Sequence, residues 1–261
     1  PTAGNPYGIF GFGNTGSSYV GTTNLVSSTG VVASDVSGVG TARAHQGSTE
    51  YSTDKGIYAY GYDTAWGPPH FVSYSNLVSN TGVVASDVTG VGTERESAIG
   101  AKYGGDKGIF AYGYDGSNLN MSNLVTNLGV IGTDVTGVGT ARRYLGACEY
   151  GTDTAIFGFG YDANTSVTNL VTNAGVVGTD VTGVAGATAR NALTACSYGY
   201  DKGIFGFGAA AGPALAMTNL VSNAGVMSSD VAAVVGVHAR YAPGATQYGG
   251  DKGIFGFGAN G

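Results

Sequence analysis

The sequence predicts an all-β fold: a five-bladed β-propeller of four-stranded antiparallel blades, forming one domain over residues 1–261. One six-residue phrase, Gly-Ile-Phe-Gly-Phe-Gly or a close variant, occurs six times, and its isoleucines are 48, 52, 47, 48 and 50 residues apart. Each period holds four short segments rich in β-branched or aromatic residues, which indicates strands. No window has the 3.6-residue periodicity of a helix. Four strands in a period of about 50 residues are typical of a propeller.

The first two segments of each repeat read as a hairpin. The first segment begins with an arginine and ends eight positions later with a tyrosine. A turn such as Gly104-Gly105-Asp106-Lys107 then leads into the six-residue phrase, because Gly and Asp tolerate the positive φ of a hairpin turn. Strand alternation within the phrase predicts that Phe110 and Tyr112 face the same way. The five copies of the first segment are Arg43–Tyr51, Arg95–Tyr103, Arg142–Tyr150, Arg190–Tyr198 and Arg240–Tyr248.

The third segment is Asn-Leu-Val and the fourth ends in an aspartate, and each occurs five times. Five copies of three segments predict five blades, whereas the six-residue phrase has a sixth copy. We therefore expect Gly8–Gly13 and Gly253–Gly258 to compete for one place. We also expect the Arg240–Tyr248 strand to pair in the blade that contains Asn24–Val26. Such circular closure would remove the free sheet edges of an open ring.

Charged residues follow the repeat, since nine of the 11 cationic side chains occupy repeat positions. Five arginines and five aspartates would form two rings in a propeller. One interpretation is structural: each pair ties a blade to the next, because partly buried charges need hydrogen bonds. The other is an ion site where like charges converge on the propeller axis. The residues are Arg43, Arg95, Arg142, Arg190 and Arg240, with Asp35, Asp87, Asp134, Asp180 and Asp230.

Composition excludes several classes of partner. Only 11% of residues are charged and the net charge is −6, whereas binding to a phosphate backbone needs clustered Lys and Arg. We therefore expect no nucleic-acid partner. No apolar run approaches the roughly 18 residues of a membrane span. The stretch 1–6 is neither basic nor apolar, so no signal peptide is visible.

Neither a cofactor nor a metal is expected. The Asp-Lys-Gly turns supply one carboxylate beside a cation, whereas a calcium loop needs several oxygen ligands. Cys148 and Cys196 occupy the same slot in adjacent repeats, where other repeats carry Thr or Ala. That slot predicts two buried free thiols. A disulfide is the lesser alternative, because matching positions of neighbouring repeats seldom come close enough.

Variation concentrates in two places: the seven residues between each Arg and Tyr of the first segment, and the loops that follow the six-residue phrase. In a propeller these loops emerge on one face, and loops on a rigid scaffold are where binding residues accumulate. The longest loop carries Trp66, the only tryptophan, which either stacks on a ligand such as a sugar ring or covers a hydrophobic patch. At most three loops should form equivalent sites. The candidate ligand-binding residues are Tyr62, Asp63, Trp66, Tyr114, Asp115, Tyr161 and Asp162.

Two resemblances can be read from these motifs. Arg142-Arg143-Tyr144, Ile156–Gly160 and Val167–Val171 together resemble a degenerate kelch-type blade, although the double glycine and the fourth-strand tryptophan of that family are missing. The tandem style, with Asn-Leu-Val-Ser-Asn and Gly-Val-Gly-Thr-Ala-Arg, is similar to repeat-rich virion proteins of marine phages and environmental viruses. The second resemblance implies a virion or other extracellular surface.

A non-enzymatic binding or structural propeller is the leading expectation, either a viral surface protein or a lectin-like protein that recognises a cell-surface glycan or protein. The alternative is a kelch-like intracellular scaffold for protein interactions. An enzyme is not expected, because His45, His70 and His238 occupy unrelated repeat positions and no nucleophile–base pair can be read from the sequence.

Overall fold

The computed structural model describes residues 6–63, 70–233 and 235–260. These ranges are all-β, and every pair of strands is antiparallel. No helix in the described residues could cross a membrane. The strands are β1 (Gly8–Asn14), β2 (Tyr19–Val26), β3 (Gly47–Tyr51), β4 (Lys55–Ala59), β5 (Tyr62–Asp63), β6 (His70–Phe71), β7 (Ser75–Val78), β8 (Ile99–Tyr103), β9 (Lys107–Tyr114), β10 (Asn118–Val125), β11 (Gly146–Tyr150), β12 (Thr154–Gly158), β13 (Thr168–Val171), β14 (Thr194–Tyr198), β15 (Lys202–Gly206), β16 (Thr218–Val221), β17 (Gly244–Tyr248) and β18 (Lys252–Gly256).

The strands form one small sheet per repeat. The four central repeats have the sheets β3-β4-β7, β8-β9-β10, β11-β12-β13 and β14-β15-β16, while the ends of the chain form β1-β2 and β17-β18. A two-residue hairpin, β5-β6, is added in the second repeat. We number the repeats as units 1 to 6, with bounds 6–40, 41–92, 93–139, 140–187, 188–237 and 238–260.

The fourth segment does not form a continuous strand. In units 1 to 5 it meets the third strand through two isolated bridges, such as Val125↔Ile131 and Ser122↔Val135 in unit 3. Between them the Asn123 side chain donates from Nδ2 to the carbonyl of Gly132 at 3.0 Å and to Asp134 at 2.9 Å. This asparagine therefore replaces part of the backbone ladder, and the predicted fourth strand is reduced to two bridges.

Aromatic contacts join each unit to the next. Six ring pairs have centroids 5.1–5.6 Å apart, and the last pair joins unit 6 to unit 1. Such pairs contribute about 1 kcal/mol beyond the apolar area they bury. In chain order they are Phe12–Tyr58, Tyr60–Phe110, Tyr112–Phe157, Phe159–Phe205, Phe207–Phe255 and Phe257–Phe10.

These pairs show that the predicted alternation within the six-residue phrase is wrong. Phe110 contacts the preceding unit, whereas Tyr112 contacts the following one, so the two rings point to opposite sides of the sheet. The cause is the backbone of Tyr112, which has a φ of 62° and is followed by Gly113 at 116°. A left-handed residue turns its side chain out of the strand alternation, at a cost of about 1–2 kcal/mol.

The prediction that the C-terminal strand pairs in the first blade is also wrong. β17 pairs with β18, and β1 pairs with β2, so Arg240–Tyr248 does not pair with Asn24–Val26 and the two terminal phrases lie in separate sheets. The terminal units instead pack as neighbours. The Phe10 ring of unit 1 packs over Gly244 and Gly256 of unit 6. The Phe255 ring of unit 6 packs over Gly206 of unit 5 in the same way. The described residues therefore form six units, where the sequence predicted five.

Backbone hydrogen bonds repeat the same succession of units. The turn after each first strand donates an N–H to the next unit, as Gly199 does to the carbonyl of Asp251 at 2.7 Å. Gly249 of unit 6 donates in the same way to Pro6 of unit 1, also at 2.7 Å. The expectation of two buried free thiols is confirmed for Cys148 and Cys196.

Overfilling the contact between the terminal units tests it. A Cβ atom built on Gly8 lies 2.6 Å from Cγ2 of Thr246 and 2.7 Å from the backbone oxygen of Gln247. Gly8→Ala should therefore force units 1 and 6 apart and lower the melting temperature, since overpacking a close contact typically costs about 1–3 kcal/mol. Thermal melts measure the effect. Gly56→Ala is the control, because it lies at the same position of the six-residue phrase and a Cβ atom there meets its nearest neighbour at an ordinary 3.6 Å. Equal melting temperatures for the two variants would contradict this contact.

Candidate functional site

The arginines of units 2 to 5 are fully buried. Arg95 of unit 3 donates from Nη2 to Asn123 at 2.7 Å, from Nε to the Tyr112 carbonyl at 2.9 Å and from Nη1 to the Thr93 carbonyl at 3.0 Å. Its Cζ lies 3.9 Å from the ring centroid of Tyr60 in unit 2. One guanidinium thus holds its own unit together and contacts the preceding one. Arg142 and Arg190 make the same contacts, with small changes in distance. Arg43 donates to Asn76 and to the Thr41 carbonyl and lies on the Phe12 ring, but its buried Nε has no hydrogen-bond partner among the described residues.

The aspartates complete this network. Asp134 accepts hydrogen bonds from Asn123 at 2.9 Å and from Thr93 Oγ1 at 2.7 Å. Burial favours its protonated form, but the bonds from Asn123 and Thr93 outweigh burial and lower the pKa of Asp134 below its ordinary value. Asp87, Asp180 and Asp230 have equivalent partners. This geometry favours the structural interpretation of the two charge rings over an ion site.

The end units differ because each holds only part of the network. Asp35 accepts from Asn24 at 2.7 Å, but unit 1 supplies no buried arginine within the described residues. Arg240 in unit 6 has no Asn-Leu-Val segment in its own unit and donates from Nη1 to the Phe257 carbonyl at 3.4 Å.

Tyr62, Tyr114 and Tyr161 lie at one end of the sheets, where the sequence predicted a binding face. Each forms an isolated bridge with the residue that follows a buried arginine, for example Tyr161 with Arg143. Trp66 lies outside the described residues. We call this end the loop face.

Rings on the loop face form a continuous row across four units. The centroid distances are 5.7 Å for Tyr19–Tyr62, 6.0 Å for Tyr62–Phe71 and 5.9 Å for Phe71–Tyr114. The row continues through the guanidinium of Arg143, which contacts the rings of Tyr114, Tyr144 and Tyr161. We call this row the aromatic belt; its members are Tyr19, Tyr62, Phe71, Tyr114, Tyr144, Tyr161 and Arg143. Units 5 and 6 carry Ala209 and Ala259 where units 2 to 4 carry the belt tyrosines.

The three predicted aspartates have different surroundings. Asp63 is buried and accepts hydrogen bonds from His70 and Tyr74, so it holds the β5-β6 hairpin. Asp115 is exposed and accepts the Ser117 N–H at 3.1 Å. Asp162 is also exposed and accepts from Asn118 of the preceding unit at 3.1 Å. Asp115 and Asp162 are therefore open to a ligand, whereas Asp63 is not.

Sequence reasoning missed three residues of this face. His45 Nδ1 lies 2.9 Å from Glu96 Oε2, and the His45 ring is 6.0 Å from that of Tyr144. Burial first, and then the charge of Glu96, raise the pKa of Tyr144. His45, Glu96 and Tyr144 all lie in the variable stretch that follows a buried arginine. The variation between repeats at these positions was the sequence feature that could have identified them.

A central cavity of about 190 Å³ was not predicted either. The first strands of units 2 to 6 and β1 surround it. Lys102 Nζ lies 3.6 Å from Glu50 and 3.8 Å from Glu149, and these residues occupy one repeat slot, directly before the tyrosine that ends the first strand. In that slot units 5 and 6 carry Ser197 and Gln247. Burial, only partly offset by Lys102, raises the pKa of Glu149 to about 8.

No protein-family model matches the chain, and no curated protein matches it either. The interpretation of its surfaces therefore rests on their geometry.

The raised pKa of Glu149 predicts how stability depends on pH. Between about pH 4.5 and 8 the folded protein holds a proton on Glu149 that the unfolded chain has lost, so the free energy of unfolding should fall as pH rises through this window. Glu149→Gln should not show that fall. The free energy of unfolding of the variant minus that of wild type should therefore rise by roughly 1–3 kcal/mol between pH 4.5 and pH 8. Urea unfolding at both pH values measures this. Glu50→Gln is the control, since its side chain is 55% exposed. Parallel pH profiles for Glu149→Gln and wild type would contradict the prediction.

Proposed function

We propose that this chain is a non-enzymatic binding protein of the β-propeller type, with six units arranged in a ring. Two observations support the ring: the aromatic pairs run through all six units and return from Phe257 to Phe10, and the backbone bonds return from Gly249 to Pro6. Every unit then has a neighbour on both sides. Most of the interunit contacts are buried rings and arginines, which favours a rigid scaffold.

The aromatic belt is the observation that carries the binding proposal. Its rings pack edge to face across units 1 to 3 and continue into unit 4 through Arg143, so they present a broad surface that changes little in shape. Tyr161 is 42% exposed, and the open carboxylates of Asp115 and Asp162 follow belt tyrosines. Sugars bind to such surfaces by placing C–H faces on aromatic rings while their hydroxyls bond to carboxylates. We therefore propose a saccharide as the ligand.

The belt defines one extended site rather than three equal ones. Tyr62 lies between Tyr19 and Phe71, while Tyr114 lies between Phe71 and Arg143. An oligosaccharide that follows the belt could contact several rings at once. Exposure of the belt on a viral surface is a further part of the proposal, and it rests on the resemblance of the repeats alone.

A glycan array followed by calorimetry tests the proposal. Wild-type protein should bind particular glycans, and Tyr161→Ala should weaken that binding about tenfold, as expected for the loss of one stacked ring. Asp115→Ala extends the test along the same face, and Trp66→Ala tests the residue that the sequence alone nominates. The control is Tyr200→Ala, which removes a 62% exposed tyrosine from a turn at the opposite end of the sheets.

Melting temperatures should be unchanged in Tyr161→Ala and Tyr200→Ala, because neither ring is buried. If Tyr161→Ala binds as wild type does, the belt is not the site. If no glycan binds but a protein partner protects the belt tyrosines, the kelch-like scaffold is the better description.

A further inference from the structure

Arg143 departs from the repeat in a way that singles it out. It is one of two cationic residues outside the repeat positions, the other being Lys102 in the central cavity. Its slot directly follows the buried arginine of each unit. The other units carry Ala44, Glu96, Asn191 and Tyr241 there. A cation in this slot therefore serves something that unit 4 alone provides.

The guanidinium of Arg143 is surrounded by tyrosine rings. Its Cζ lies 4.1 Å from the ring centroid of Tyr114, 5.2 Å from that of Tyr144 and 5.5 Å from that of Tyr161. Cation–π contacts of this kind stabilise the charge without using any of its N–H donors. The rings thus hold the group in place and leave its hydrogen bonds unmade.

The side chain of Arg143 has no acceptor among the described residues. No carboxylate lies within 4.0 Å of it, and its Nε is buried without a hydrogen-bond partner. Arg95, one repeat earlier in the buried slot, donates three hydrogen bonds. Of the acids on this face, Glu96 is paired with His45 at 2.9 Å, and Asp162 accepts a hydrogen bond from Asn118 at 3.1 Å but forms no ion pair with Arg143.

A half-buried guanidinium with free donors has a strong preference for an anion. Its planar fork matches the two oxygens of a carboxylate, and such paired bonds are stronger than neutral ones. A ligand that fits here must carry an anionic group and a flat face that can stack on Tyr161. Among the three tyrosine rings around the guanidinium, that of Tyr161 is the exposed one. A sugar that bears a carboxylate has both features.

We infer that Arg143 binds the carboxylate of an acidic sugar, a uronic or sialic acid residue, whose ring stacks on Tyr161. This inference rests on the proposed saccharide-binding function and adds the class of sugar. The belt from Tyr114 to Tyr19 then receives the neutral residues that follow in the chain of the glycan.

Matched sugar pairs test the inference by calorimetry. The probes are 3′-sialyllactose against lactose, and trigalacturonic acid against galactotriose; 3′-sulfolactose separates a carboxylate from a sulfate. Wild-type protein should bind one acidic member at least tenfold more tightly than its neutral partner, since bonds to charged groups are the stronger ones. The preference should diminish with added salt.

Variants at the same slot supply the controls. Arg143→Ala gives unit 4 the residue that unit 2 carries as Ala44, so it should fold. It should lose the acidic preference, so that the acidic and the neutral member of each pair bind to it equally. Arg143→Lys should retain only part of the preference, because a lysine lacks the fork. Lys202→Ala, which removes an exposed cation from a turn at the opposite end of the sheets, should change nothing.

The outcomes separate the two proposals. Equal binding of acidic and neutral sugars, or an unchanged preference in Arg143→Ala, overturns the inference and leaves the saccharide-binding function in place. Tighter binding of the sulfated probe than of either acidic sugar also overturns it, in favour of a sulfate. If no sugar of either class binds, both proposals are wrong.

Discussion

The buried arginine of units 2 to 5 is the group on which the rest of the structure depends. A charged guanidinium taken out of water costs several kcal/mol unless its donors are satisfied. In unit 3 that need fixes Asn123 as acceptor, two backbone carbonyls as further acceptors, and a ring of the preceding unit as a stacking surface. Asn123 in turn donates a hydrogen bond that orients Asp134, and Asp134 accepts a second one from Thr93 at the start of the unit. One side chain thus specifies the position of three segments and of the neighbouring unit.

The same requirement explains the unusual backbone of the six-residue phrase. The second aromatic residue of all six copies has a φ between 61° and 65°. That conformation places one ring of the phrase against the unit before and the other against the unit after. In five copies it also brings the second ring under the arginine of the next unit. The local strain is offset by two buried contacts.

Much of this was readable from the sequence, because repetition marks what the fold needs. Arg95, Asn123 and Asp134 were identified as repeat positions, and the network unites them. Two features could not be read. The flip at Tyr112 depends on contacts with other units, and the packing of Phe10 on unit 6 competes with a pairing that the sequence permits equally. The candidate sites behave in the opposite way, because their residues differ from the repeat. Arg143 and Lys102 occupy positions where other units carry no cation. The reason for each cation is found in its spatial neighbours, which the sequence does not identify.

Comparing two asparagines tests most directly whether the buried arginine holds the fold. Asn123 and Asn24 donate equivalent bonds, to a backbone carbonyl and to an aspartate, but only Asn123 accepts from an arginine. In urea unfolding, Asn123→Ala should lower the free energy of unfolding by about 3 kcal/mol, because it leaves a buried charge short of an acceptor. Asn24→Ala should cost about 1 kcal/mol. Equal losses for the two variants would contradict the claim that the arginine network governs the stability of the repeat.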